Sequence, residues 1–334
     1  MKRRSKGKFK VVGVVLAGLI ILSCTGLAIA QKKYPTDTIA VTVAYKAGGS
    51  TDAAVRMILP YLEKELKTSM YVKNLPGAGG EIGFTGLATS KPDGYTIGMI
   101  NLPAVNLVAA ARETRYEPIV EHFAPIGVNI SDPNTIMVRK DDSRFNTIKD
   151  LIDYAKAHPG EIILGADGPL SDDQLSMYKI EEAMGVKFTY IPYAGGAPAA
   201  KALIGGETDV LISNCFDAIK WEENTKALAV LWPERYELIP HVPTFKEETG
   251  VEVVGGSTRG FSAPAGTPPE ILARLRLAFY EVTTNPEYIK EAKKRGLTLI
   301  EPKIGDDFGK VIRKEEEAIS TLLKYFIEGG YIKK

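Results

Sequence analysis

A short apolar run, a turn carrying paired glycines and a helix-forming segment follow one another twice in this 334-residue chain. The first copy is VTVAYKAGGSTDAAVR, Val41 to Arg56, and the second is FTYIPYAGGAPAAKALIGG, Phe188 to Gly206. A strand that passes through glycines into a helix is the building unit of α/β layers. The remainder of the chain keeps the alternation. Its pattern predicts strands over 39–44, 70–72, 96–100, 135–138, 162–164, 188–191, 210–212 and 227–231. It predicts helices over 51–67, 80–89, 148–157, 172–184, 198–204, 268–284, 287–295 and 305–327. Pro269 and Glu270 near one helix start, and Gly296 after a helix ending Lys-Lys-Arg, are capping signals in the expected places.

The chain is 45% hydrophobic and 25% charged, and its length suggests two domains of about 150 residues each. Stretches bearing proline and glycine at Asp132–Asn134 and Gly255–Thr267 are read as crossings between two lobes. Residues 31–133 with 257–334 then make lobe 1, and residues 134–256 make lobe 2, with a cleft between them.

The first ten residues, MKRRSKGKFK, hold six basic residues and no acid, and Val11 to Leu22 is continuously apolar. These are the basic and apolar regions of an export signal within residues 1–30. Ala28-Ile29-Ala30 fits cleavage before Gln31. Ile21-Leu22-Ser23-Cys24 fits lipidation at Cys24, and Val11–Ala30 is long enough for a retained helix at ~20 residues. Each alternative places the body of the protein outside the cytoplasm, in the periplasm or at the outer face of a membrane. Removal of residues 1–30 leaves 36 basic residues against 41 acidic, a net of −5, which argues against a nucleic-acid partner. Cys215 would then be the one cysteine, so no internal disulfide is expected.

The glycine turns carry the chemistry. At Gly48, Gly49, Ser50 and Thr51 a helix begins with backbone N–H groups that have no acceptor within the helix, and its dipole adds about half a positive charge. Such a start suits a carboxylate or phosphate, although Ser50 and Thr51 could serve only as caps. Tyr193, Gly195, Gly196 and Ala197, followed by Pro198 in the first helical turn, repeat the device in the second lobe. A third turn, NLPGAGGEIG from Asn74 to Gly83, contains neither a clean GxGxxG nor GxxxxGK[ST], so a nucleotide is disfavoured. In GADGPLSDDQL, Gly165 to Leu175, Ser171 is a cap and Asp172 and Asp173 supply their own negative charge. A cleft-facing Asp167 would favour a ligand with an ammonium group; the alternative is a solvated loop acid in its own Asx turn.

Chemistry on the ligand finds no support. His122, His158 and His241 have no metal-ligand spacing, Cys215 has no placed partner, and no paired-carboxylate or Ser-His-Asp motif is legible. No metal and no cofactor is expected.

The runs already quoted, with VKNLPGAGGEIGFTGLATSKPDGYTIGMIN, HPGEIILGADG, KALAVLWPER, VPTFKEETG and FSAPAGTPPEIL, resemble in order the substrate-binding proteins of tripartite tricarboxylate transporters, the Bug family. The resemblance spans essentially the whole chain after residue 30. It implies a type II-like periplasmic-binding-protein fold, two α/β lobes around a ligand cleft with the chain crossing between them twice. It also implies a small organic carboxylate as ligand and delivery to membrane permease subunits. First-lobe contacts would come from Gly48, Gly49, Ser50, Thr51, Gly77, Ala78, Gly79 and Gly80, with Asp52 and Asn74 bracing the turns. Second-lobe contacts would come from the 165–171 loop, including Gly165, Asp167 and Ser171, and from Tyr193, Gly195, Gly196 and Ala197. Asn101 and Asn214, each just past a strand end, are further candidates without a family counterpart. Lys46, Leu75, Asp167, Asp172-Asp173 and Thr258 depart from the residues usual in the family, which leaves the ligand subclass open: di- or tricarboxylate, acidic amino acid or aromatic acid. Membrane contact would come through the permease or a lipid anchor. Rival roles are ligand sensing for a membrane kinase and hydrolysis of a carboxylate derivative by an exported enzyme.

Overall fold

Strands buried on both faces read as unbroken apolar runs rather than alternating ones, and Ile39–Val43 is such a strand, every residue buried. It opens a computed structural model that describes residues 34–328, 330 and 332. In chain order the elements are β1 (Ile39–Val43), α1 (Ser50–Leu66), β2 (Met70–Asn74), α2 (Glu81–Ala88), β3 (Thr96–Leu102), α3 (Ala104–Ala111) and α4 (Ile119–His122). Then follow β4 (Phe123–Arg139), α5 (Ile148–Ala157), β5 (Ile163–Asp167), α6 (Asp172–Met184), β6 (Thr189–Tyr193), α7 (Gly196–Gly205), β7 (Val210–Asn214), α8 (Cys215–Lys220) and β8 (Thr225–Val230). The chain ends with α9 (Phe245–Thr249), β9 (Gly256–Pro264), α10 (Pro269–Thr283), α11 (Pro286–Lys294), β10 (Leu299–Ile304) and α12 (Asp306–Glu328). The export-signal, Ala30 and Cys24 readings lie outside the described residues.

The strands form one ladder in the order β2-β1-β3-β9-β4-β7-β5-β6, with β10 and β8 also paired to β4. Its two halves repeat a single plan. In the first, β1 lies parallel between β2 and β3, and β9 runs antiparallel to β3. In the second, β5 lies parallel between β6 and β7, and β4 runs antiparallel to β7. β4 belongs to both halves: Phe123 to Pro133 pairs with β9, and Asn134 to Val138 pairs with β7. The fold is therefore the expected α/β binding-protein type, two lobes with the chain passing between them twice.

Both passages are strands, whereas the sequence reading took 255–267 for a connecting stretch and recognised only the end of β4. The glycines misled. A Cβ on Gly256 would lie 2.7 Å from the Asp132 carbonyl oxygen, and one on Gly260 2.4 Å from the Phe308 ring. These are strand glycines demanded by close packing, not turn signals. The sequence reading also missed α3, α4, α8, α9 and β10. α4, α8 and α9 span four to six residues, too few to establish a helical period. α5, by contrast, was legible to the residue, because Thr147 and Asp150 form a reciprocal capping box before its apolar stripe. An apolar core runs through both halves, from Phe84 and Leu102 to Ile212 and Phe245.

Candidate functional site

In open α/β sheets, ligands collect beyond the carboxyl ends of the strands, where helices begin. β1, β2, β3, β5, β6 and β7 all end at one place here, and nearly every residue singled out from sequence sits on those six ends.

After β1 the chain turns at Gly48, whose φ of 93° favours glycine, and Gly49 caps α1 with no side-chain hydrogen bond. The turn is braced from below. Asp52 accepts from the Gly48 N–H at 2.9 Å and from Arg56 Nε, and Asn74 Nδ2 donates to the Tyr45 carbonyl and to Asp52 Oδ1, both at 3.0 Å. Burial raises the Asp52 pKa, yet the donors from Arg56, Gly48 and Asn74 hold it below the usual carboxylate range. After β6, Gly195 caps α7, again with no side-chain bond. The two glycine-capped helix starts face each other: a Cβ on Gly49 would lie 3.8 Å from Gly196 N and 3.9 Å from Ala197 N. A Cβ on Gly196 would come within 2.7 Å of Asp217 Oδ2, so a side chain there must displace the buried Asp217 carboxylate.

The 77–80 turn meets the second half just as closely. Gly77, Ala78, Gly79 and Gly80 all have positive φ, and a Cβ on Gly79 would lie 2.3 Å from the Pro169 carbonyl oxygen. A cavity of about 230 Å³ lies at this junction, walled by Tyr45, the Gly77–Gly80 turn, Gly168, Pro169 and Tyr193.

Behind the turns lies a buried polar layer. Asn101 Nδ2 donates to Thr51 Oγ1 at 2.9 Å, and Ser50 Oγ reaches Asn214 Oδ1 at 3.4 Å. Asn214 also donates to the Asp132 carbonyl and to Asp172. Arg259, 1% exposed, pairs with Asp132 at 2.8 Å and donates to Asn214 Oδ1. Burial pushes the Asp132 carboxyl up to about 6, with Arg259 opposing the rise. Asn134 donates to both Asp172 and Asp173. From α8 the Lys220 ammonium reaches the Gly48 carbonyl, tying the second half to the first glycine turn.

Several expected residues have other duties. Gly165 packs inside β5, where a Cβ would touch Thr208 and the Tyr193 ring. Ser171 accepts from the Gln174 N–H as the cap of α6 and donates to the Asp167 carbonyl. Asp167 is the last residue of β5, not a solvated loop acid, and no Asx-turn bond is made: its Oδ1 is buried with no partner among the described residues. Burial and the neighbouring Asp172 push its carboxyl up to about 8. Asp172 and Asp173, read from sequence as the helix's own charge, are buried and accept from the chain.

Sequence reasoning missed Tyr45, Asp132, Asn134, Ser213, Asp217, Lys220 and Arg259. The available signal was Arg259, an isolated base among small and apolar residues in GSTRGFSAP. Of the histidines, His158 stacks on Tyr154, 4.4 Å between ring centroids, and His122 Nδ1 lies 3.0 Å from the Pro118 carbonyl oxygen. Cys215 is fully buried, its thiol pushed up by burial and Asp132. Among the described residues no cluster of three metal-binding side chains occurs, and no helix is long and apolar enough to cross a membrane.

The model of the tripartite tricarboxylate transporter family receptor, TctC, matches residues 54–325. The chain belongs to that family. Its solved relatives agree with the geometry. The periplasmic binding protein BugD is 29% identical, with a TM-score of 0.79, covering 90% of this chain and 100% of that one. A protein from R. palustris solved with adipate is 26% identical at TM-score 0.82, over 87% of this chain and 98% of its own. MatC from Rhodopseudomonas palustris, solved with bound malate, is 25% identical at TM-score 0.79, over 87% of this chain and 100% of its own. The chain is thus a periplasmic solute-binding receptor of the TctC type, as the glycine-turn motifs implied.

Proposed function

We propose that this TctC receptor captures a small organic carboxylate between its two glycine turns and delivers it to the membrane permease subunits of a tripartite transporter. The observation that carries the reading is the confrontation of two helix starts capped by glycine without a side-chain bond, after Gly49 and after Gly195, one from each half of the ladder. Each offers backbone donors without an intrahelical acceptor and the positive end of a helix dipole. A carboxylate between them would draw donors from both halves, which favours closure by hinge motion. The lobes would divide at 133/134 and 256/257, where β4 stops pairing with β9. Relatives solved with malate and adipate support the carboxylate assignment.

The test compares two substitutions at Gly49 in a thermal-shift panel of dicarboxylates, tricarboxylates, acidic amino acids, aromatic acids and neutral sugars. Gly49 has φ −81°, ψ 175°, which any residue adopts, and a lone Cβ there would meet only ordinary contacts. Gly49→Ala therefore keeps the turn, while the γ-methyls of Gly49→Val fill the gap before Gly196. A ligand at 100 times its Kd stabilises by about 2.7 kcal/mol. We expect one carboxylate class to shift the native protein and Gly49→Ala, and Gly49→Val to lose at least tenfold in affinity. Stabilisation by sugars alone, or full affinity in Gly49→Val, would overturn the assignment.

A further inference from the structure

Carboxylates crowd the second half of the site. Asp172 and Asp173 open α6 directly beyond Asp167, and Asp132 and Asp217 lie close enough to influence the same groups. Two cations stand near them, and both are engaged. Arg259 holds Asp132 and Asn214, and Lys220 holds the Gly48 carbonyl. Arg259 donates to Asp132, Asn134 donates to Asp172 and Asp173, and Ser213 donates to Asp217 Oδ2 at 2.8 Å, while Asp217 Oδ1 is buried without a donor. Asp167 goes further: neither carboxylate oxygen receives a hydrogen bond from the described residues, and Oδ1 is buried.

Asp167 immediately precedes two residues that line the cavity, Gly168 and Pro169, and the phenol of Tyr45, which lines it too, feels the charges of Asp167 and Asp172. Across the site, in the first half, Asn101 is 4% exposed and its Oδ1 is likewise a buried acceptor without a donor, beside the Thr51 hydroxyl at the start of α1. A buried acceptor left unpaired is costly. A guest that brings N–H donors would satisfy both of these acceptors. A metal ion fits less well, because a hard cation needs several converging free oxygens, and those of Asp172 and Asp173 already accept from amides.

We propose that the solute carries a protonated amine as well as its carboxylate, the ammonium being received by Asp167 while the carboxylate faces the glycine turns. The inference rests on the site reading given under the proposed function, and narrows the solute to an amino-acid-like zwitterion. Asp167 would supply the selection, since an ammonium bound there stabilises the ionised carboxylate and displaces the proton that burial keeps on it, whereas an amine-free acid offers it no partner.

Calorimetric titration of the purified protein with matched pairs tests it: aspartate and succinate, glutamate and glutarate, phenylalanine and 3-phenylpropionate. At least one amine-bearing member should bind tenfold or more tighter than its amine-free partner. The isosteric Asp167→Asn variant, its fold checked by circular dichroism, should bring the two within about threefold. Titration in buffers of differing ionisation enthalpy should show protons released on binding the amine-bearing member of the native protein, and none in Asp167→Asn. Equal or tighter binding of the amine-free acids would overturn the amine inference and leave the carboxylate site standing. A preference that persists in Asp167→Asn would overturn the role of Asp167, and binding of no member would remove the site reading and this inference together.

Discussion

Arg259 and Asp132 show how a single pair can hold a crossing together. Both side chains are 1% exposed, and they join β9 to β4 beside the point where the chain leaves one half of the ladder for the other. A buried ion pair is weak evidence of net stability, but removal of one partner strands a charge, at about 3–5 kcal/mol. Arg259→Met should therefore lower unfolding stability by that amount in urea titrations, and adding Asp132→Asn should recover much of the loss. A cost below about 1 kcal/mol for Arg259→Met would show that Asp132 finds its compensation elsewhere. Gly79 makes the complementary case of a residue defined by what it lacks. Gly79→Ala places a Cβ against the Pro169 carbonyl at a positive φ, so it should cost about 1–3 kcal/mol and open the 77–80 junction. Thermal unfolding of the ligand-free variant measures the first effect, and the radius of gyration in solution the second.

At the scale of elements, α1 and α7 begin differently from α5, α6 and α9. α5, α6 and α9 are capped by the side chains of Thr147, Ser171 and Thr244, whereas α1 and α7 are capped by glycines with no side-chain bond. A side-chain cap satisfies first-turn donors locally; a glycine cap leaves them for a guest. Thr147→Ala should cost about 1 kcal/mol in stability and leave solute affinity unchanged, a contrast with Gly49→Val that separates structural caps from binding turns. Unfolding and titration on the same preparation check both halves of the statement. The contrast was legible in the sequence, since Thr147-x-x-Asp150 and Ser171 are cap signals while Gly48-Gly49 and Gly195-Gly196 are not. What could not be read was that the latter two meet: nothing in 48–51 or 195–197 encodes a contact across more than 140 positions of chain.

For the whole molecule the buried acids set a pH dependence. Asp132 is raised to about 6 and Asp167 to about 8, with Asp173 and Asp217 also raised, each first by burial. An acid whose folded pKa exceeds its unfolded value of about 3.9 makes the native state bind more protons than the unfolded one, so stability falls as pH rises. The window runs from about pH 4 to 8. Asp52, Asp142 and Glu247 are shifted the other way and act only below it. The ligand-free protein should therefore have a higher Tm at pH 5.5 than at pH 8.0, and a solute amine should reduce the difference, because it compensates Asp167 in its charged form. The charged groups facing Asp167 are Asp172 and Asp173 of α6, Asp217 of α8 and Arg259 of β9, so the slope belongs to the cluster. A Tm that rises steadily from pH 5.5 to 8.0 would contradict the assignment of these burial effects.

The sequence by itself determined the α/β class, the family, most helices and the two glycine turns, because each of these is written in neighbouring residues: a period, a cap, a motif. It also carried the bracing pattern of Asp52 and Asn74 through the family resemblance. Tertiary structure alone decided that 256–264 is a strand, since its glycines answer to Asp132 and Phe308 rather than to local turns. It decided that Asp172 and Asp173 are buried acceptors, because Asn134 and Asn214 arrive from two other strands. It also decided that Arg259 is engaged while Asp167 is not. Hydrogen-bond satisfaction and desolvation depend on which distant groups share a site, and that is fixed only when the two halves of the ladder fold together.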